Sequence, residues 1–134
     1  MLDLFGLLVL IFLVMHGLGH VLYFLASWTS VRTGFGDGSW LLPGDFDIKS
    51  ALGRIWGIAA LLVTGLFLLG AAGLLTGQSA WVSPTNLGIL LSFVVVVPWY
   101  RESPGSTGAM AVIANLVLMF LLALPLSAEL TGSA

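Results

Sequence analysis

Four apolar stretches, each long enough to cross a lipid bilayer as a helix, are separated by short polar breaks in this chain. They cover residues 4–28, 51–75, 84–100 and 107–130. A hydrocarbon core of about 30 Å asks for roughly 17–25 residues of helix. Lipid offers no partner to backbone N–H and C=O groups, so a spanning segment must satisfy them as a helix or a closed barrel. Barrel strands alternate apolar and polar residues over about ten positions, and no such alternation occurs here. The pattern predicts an all-α fold, an integral membrane four-helix bundle forming one transmembrane domain over 1–134, with its longest connection at 29–50. Ser83 and Pro84 predict the start of the third helix, a hydroxyl cap followed by proline in the first turn. Pro98 and Pro125 fall near helix ends, where a missing backbone donor is easiest to tolerate.

Composition narrows the function classes. The chain is 59% hydrophobic and 7% charged, against roughly 25% charged in soluble domains. Ten charged side chains, the sum of four basic and six acidic, cannot cover a soluble protein of 134 residues. A net charge of −2 supplies no basic footprint, so no nucleic-acid partner is expected. The absence of cysteine removes disulfides, Fe–S clusters, thiolate zinc sites and cysteine nucleophiles. The first stretch is not a signal peptide by pattern: it lacks a cationic start, exceeds the usual apolar length and carries two histidines. It is read as a retained helix.

The four basic residues set an orientation. Arg32 and Lys49 lie between the first two helices, Arg54 opens the second, and Arg101 lies between the third and fourth. The connection on the opposite side, 76–85, has no charge. The positive-inside rule then makes the Arg/Lys side cytoplasmic and both termini extracytoplasmic, in a multi-pass protein of the cell membrane. Trp28, Trp56, Trp99 and Tyr100 are expected in the cytoplasmic aromatic belt, and Trp81 in the outer one. In the 29–50 connection, Trp40, Leu41 and Leu42 are expected to rest in the interface. Asp37, Asp45 and Asp47 do not follow the EF-hand spacing and read as a polar turn.

Polar residues at membrane depth mark the candidate site, because intramembrane ionisable groups avoid lipid. His16 and His20, in HGLGH, share one helix face, which continues through Tyr23 to Ser27. At 1.5 Å per residue, His20 lies about 12 Å and His16 about 18 Å inside the Trp28 boundary. Counting from the same side groups His20 with Ser92 and Asn115, and His16 with Thr64 and Met119. At that depth a neutral imidazole is expected, with one donor and one acceptor to satisfy. Two histidines at i and i+4 can also grip a transition metal, and His16 with Met119 offers haem the His/Met pair. No carboxylate shares this depth: Asp3 and Glu129 sit near the outer surface, which removes a di-iron carboxylate site. Neither a Ser–His–Asp arrangement nor HExxH is present, so no catalytic residue is assigned. On the second helix, Gly53, Gly57 and Ala60 form a small-residue packing face that suits a neighbouring helix or a second protomer.

The segments HGLGH, LPGDF and LGRIWG resemble those of small four-helix membrane proteins of bacteria and archaea. The resemblance implies a four-helix membrane fold and no activity, and no functional residue is carried over from it. Two roles remain. One is a non-enzymatic membrane module, an accessory or self-associating subunit working in the bilayer as a homo-oligomer or within a larger complex. The alternative is a small-ligand, metal or haem protein, acting in redox or proton relay through His16 and His20.

Overall fold

Local chemistry at the start of the first apolar stretch fixes a helix there. Asp3 caps it, its Oδ1 accepting the Gly6 N–H at 2.7 Å, so a donor that lacks an intrahelical partner is satisfied. In the computed structural model, which describes residues 2–42 and 46–124, this helix α1 spans Leu4–Gly19. It is followed by α2 (Val21–Trp28), α3 (Ala51–Leu75), a 3₁₀ turn (Ser79–Trp81), α4 (Val82–Val96), a second 3₁₀ turn (Val97–Trp99) and α5 (Thr107–Ala123). The described residues form no strand, only an isolated bridge between Gly38 and Asp47. Three stretches, Leu4–Trp28, Ala51–Leu75 and Ser79–Trp99, are long and apolar enough to cross a membrane, and Thr107–Ala123 is a shorter apolar helix. Asp45, Pro125, Glu129 and the end of the fourth predicted helix, 125–130, lie outside the described residues.

The first stretch is not one unbroken helix, as its pattern suggests. At His20 the bonding tightens: the His20 N–H goes to the Gly17 carbonyl and the Tyr23 N–H to the His20 carbonyl, both at 3.1 Å. Side chains take over the neighbouring acceptors. The Thr64 hydroxyl donates to the Gly17 carbonyl at 2.8 Å, and the His20 ring donates to the His16 carbonyl at 3.0 Å. A side chain inserted into the backbone ladder is an established cause of a helix break.

Central helix α3 begins at the Ser50 cap, whose Oγ accepts the Gly53 N–H at 3.1 Å. It packs against α1 and α2 on one side and α4 on the other, while α5 packs on α4. Gly53, Gly57 and Ala60 are buried along it. A Cβ at Gly57 would overlap Ser27 Oγ and lie 3.1 Å from Trp28 Cδ1, and one at Gly53 would overlap the Ile48 carbonyl. Both positions therefore face the same chain rather than a second protomer.

One expectation about the third apolar stretch needs correction. Helix α4 starts at Val82, so Ser83 lies within the first turn instead of capping it. Pro84 is still tolerated there, because the first N–H groups of a helix have no intrahelical acceptor. Trp81 and Trp99 are buried within the bundle, whereas Trp28 and Tyr100 are exposed. Trp81 packs over Gly73, and Trp99 lies against Phe46 and Trp56. Trp56 meets a specific need nearby. Pro98 has no N–H to return to Val94, and the Trp56 indole N–H bonds that carbonyl at 3.2 Å.

The 29–50 connection is more than a turn. Gly36 N–H bonds the Glu102 carbonyl at 2.9 Å, Ser39 Oγ donates to the Pro98 carbonyl at 2.7 Å, and the Trp40 indole donates to the Val97 carbonyl at 2.6 Å. Lys49 Nζ donates to the Thr29 carbonyl. The connection thereby satisfies carbonyls left open by the 3₁₀ end of α4 and holds Phe35, Phe46 and Ile48 against the core. Arg101 stacks over Trp40 at 4.8 Å and Arg54 over Trp28 at 5.6 Å.

Candidate functional site

Polar side chains from α1, α4 and α5 converge inside the bundle. His16 ends the apolar part of α1, and His20 sits at its break. Ser92 faces inward from α4 and Asn115 from α5; both are fully buried. Four hydrogen bonds join these groups in a closed circuit. His20 Nδ1 lies 3.0 Å from the His16 carbonyl, and His20 Nε2 lies 2.7 Å from Ser92 Oγ. Asn115 Nδ2 donates to Ser92 Oγ at 2.8 Å, and Asn115 Oδ1 lies 2.8 Å from His16 Nε2.

The direction of the circuit follows from its one backbone member. A carbonyl can only accept, so His20 carries its proton on Nδ1 and leaves Nε2 as an acceptor. Ser92 then donates its hydroxyl proton to His20 Nε2 and accepts from Asn115 Nδ2. The Asn115 oxygen accepts from His16, which places the His16 proton on Nε2. Both rings are neutral in this arrangement, and each of the four links pairs one donor with one acceptor. Of the four imidazole nitrogens, the one left over is His16 Nδ1, an acceptor with no hydrogen-bond partner among the described residues.

His16 forms part of the wall of a crevice of about 440 Å³ between α1–α2 and α5. Among the described residues, the buried side-chain nitrogen and oxygen atoms without a partner are the indole nitrogens of Trp81 and Trp99. His16 Nδ1 is not one of them, so it is open rather than sealed in the core. Phe12 stacks on the His16 ring with planes 10° apart, and Phe67 closes on it from α3 at 4.9 Å between ring centres. At the loop end, Phe35 lies 4.5 Å from Tyr23. The Ser103 hydroxyl donates to the Trp99 carbonyl at 2.8 Å, so Tyr23 donates to Ser103 Oγ at 3.2 Å. The rim carries exposed Met15, Met110 and Ile113, so the crevice opens sideways onto the apolar surface of the bundle.

The sequence-derived layers are regrouped by this geometry. Thr64 does not meet His16; its hydroxyl donates to the Gly17 carbonyl and, at 3.2 Å, to that of Ala60. Asn115 bonds His16 and Ser92, and His20 bonds Ser92 alone of the two. Met119 is 45% exposed and does not line the crevice, so it does not stand opposite His16 as a haem ligand would. The two imidazoles sit edge to face, 5.0 Å apart, with three of their four nitrogens already bonded. One nitrogen, not two, is left for a metal. The described residues contain no group of three or more His, Asp or Glu placed to hold an ion.

Several crevice residues escaped the sequence reading. Phe12, at i−4 from His16, lies on the same helix face and was within reach of periodicity alone. Ala111 and Ala114 flank Asn115 and leave room at the α5 wall. Phe35 comes from a connection, as does Ser103, which bonds Tyr23 without lining the crevice, and no periodic pattern marks either. Comparison of the chain with protein-family models, with curated proteins and with solved structures gives no match.

Proposed function

We propose that this chain is a non-enzymatic integral membrane module that binds a small, mostly apolar molecule from the bilayer in the crevice beside His16. One observation carries the reading. An aromatic- and methionine-lined cavity opens on the apolar surface, and its wall includes His16, whose Nδ1 has no partner among the described residues and is not sealed in the core. Ligand sites commonly have this make-up: about 300–1,000 Å³, largely apolar, with few placed polar groups. An accessory or self-associating role, as a homo-oligomer or in a larger complex, would fall to the outer faces, since α2 covers Gly57.

The reading is tested with 4-nonylphenol as probe and the protein in lipid nanodiscs. Binding should be saturable, and Ala114→Phe, which fills the crevice wall, should weaken it about tenfold or more. Non-saturable uptake, equal in the two proteins, would remove the crevice as a binding site.

Orientation belongs to the same proposal. Arg32, Lys49, Arg54 and Arg101 gather at the end of the bundle where the 29–50 connection meets the residues after α4. The positive-inside rule puts this end in the cytoplasm and both termini outside. A C-terminal reporter active only outside the cytoplasm should be active; a signal only from a cytoplasm-specific reporter would reverse the topology.

A further inference from the structure

Resting on that reading, we infer that the crevice selects a hydroxyl-bearing ligand, an apolar alcohol or phenol, over its counterpart without a donor. Asn115, Ser92 and His20 act as the positioning residues that impose this choice.

A free neutral imidazole exchanges its two tautomers, so a histidine wall can offer a donor or an acceptor to suit its guest. His16 does not have that freedom. Its Nε2 faces the Asn115 oxygen at 2.8 Å and must keep its proton to satisfy it. Flipping the Asn115 amide would reverse this, but the flipped amide nitrogen would leave Ser92 Oγ facing the amide oxygen. Ser92 would have to donate to that oxygen, and His20 Nε2 would lose its donor or need a proton of its own. His20 Nδ1 is already committed to a proton by the His16 carbonyl, so a proton on Nε2 would make a buried cation. The circuit leaves His16 by its backbone carbonyl and returns to it through its ring, and each link fixes the next. His16 Nδ1, the ring nitrogen left open on this residue of the crevice wall, is therefore locked as an acceptor.

A lone acceptor in an apolar wall discriminates sharply between guests. A hydroxyl donates to it; an ether or carbonyl of the same shape sets a second lone pair against it and leaves both unsatisfied. Sites that hydrogen-bond a particular group reject analogues lacking it more strongly than apolar pockets reject a change of shape. The surrounding rings suit a flat head: Phe12 stacks parallel to the His16 ring, and Tyr23 and Phe35 close the loop end.

The experiment compares 4-nonylphenol with 4-nonylanisole, which keeps the oxygen and the tail but has no donor, in nanodiscs containing the full chain. The native protein should bind the phenol about tenfold more tightly, the worth of one well-placed hydrogen bond. Asn115→Leu frees the His16 tautomer and should bring the ratio to about one, with anisole binding improved rather than lost. Absence of saturable binding by either probe would overturn the crevice reading itself. Equal binding of the two by the native protein would leave the crevice standing and overturn donor selection. A preference that survives Asn115→Leu would overturn the positioning role. Should that variant not fold, ¹⁵N–¹H spectra of histidine-labelled native protein decide. The Nε2–H form for His16 and the Nδ1–H form for His20 are expected, and the opposite form at His16 would overturn the inference.

Discussion

Replacing Gly57 with leucine is expected to drive α2 away from α3 and destabilise the protein by about 3 kcal/mol, the upper part of the range for overpacking a close contact. Even the first carbon of a side chain there would overlap Ser27 Oγ and crowd Trp28. A leucine adds three more carbons in a seam where Ser27 and Gly57 are both buried. Relief would require movement of α2, which is held at its far end by the Trp28 indole bond to the Arg54 carbonyl at 2.9 Å. Gly65, on the same helix, is the control. Nothing lies within 4 Å of a Cβ placed there, so Gly65→Leu should be neutral or stabilise slightly, as glycine is the poorer helix former by about 1 kcal/mol. Thermal unfolding of the two purified variants in one detergent separates the cases. Equal midpoints would mean that the Gly57 face is free of its neighbour.

The contrast between these two glycines shows what the sequence could convey. Spacing alone put Gly53, Gly57 and Ala60 on one face, because 3.6-residue periodicity is a property of the chain itself. Whether that face meets its own chain or another depends on how α2 returns across α3, and no local pattern encodes that. Depth counting had a similar reach. It grouped His16 with Thr64 and Met119 by height along the bundle, but height says nothing about rotation around each helix. Thr64 turns to the Gly17 carbonyl, and Met119 turns outward. The break at His20 was hidden for a related reason: Gly17 and Gly19 permit it, yet the donors that stabilise it arrive from Thr64 and from the His20 ring. The indole pattern marked Trp81 and Trp99 without saying how closely each packs among its neighbours, since a large amphipathic ring suits both a boundary and a core. At Trp99 the presence of Phe46 and Trp56 decides for the core.

Removing His20 should reveal which of its neighbours it is coupled to, and the geometry names Ser92. In His20→Leu, the Ser92 hydroxyl loses its acceptor and the His16 carbonyl loses its side-chain donor. Each buried group so stranded costs about 1–3 kcal/mol, less wherever the hydroxyl can turn to a backbone carbonyl of its own helix. Ser92→Ala strands a different pair, His20 Nε2 and the Asn115 amide N–H. The double variant His20→Leu/Ser92→Ala strands only the His16 carbonyl and the Asn115 N–H, because the other two groups have gone together. Its loss should therefore fall short of the sum of the single losses by about 1–3 kcal/mol, a coupling typical of directly bonded residues. The corresponding cycle of His20 with Thr85 should be additive within about 0.5 kcal/mol, since Thr85 bonds the Trp81 carbonyl and shares no partner with His20. Reversible unfolding in mixed micelles supplies the free energies. Additivity at His20–Ser92 would break the circuit at its central link. With that link broken, Ser92 would no longer fix the Asn115 amide, and the lock on His16 would lose its physical basis.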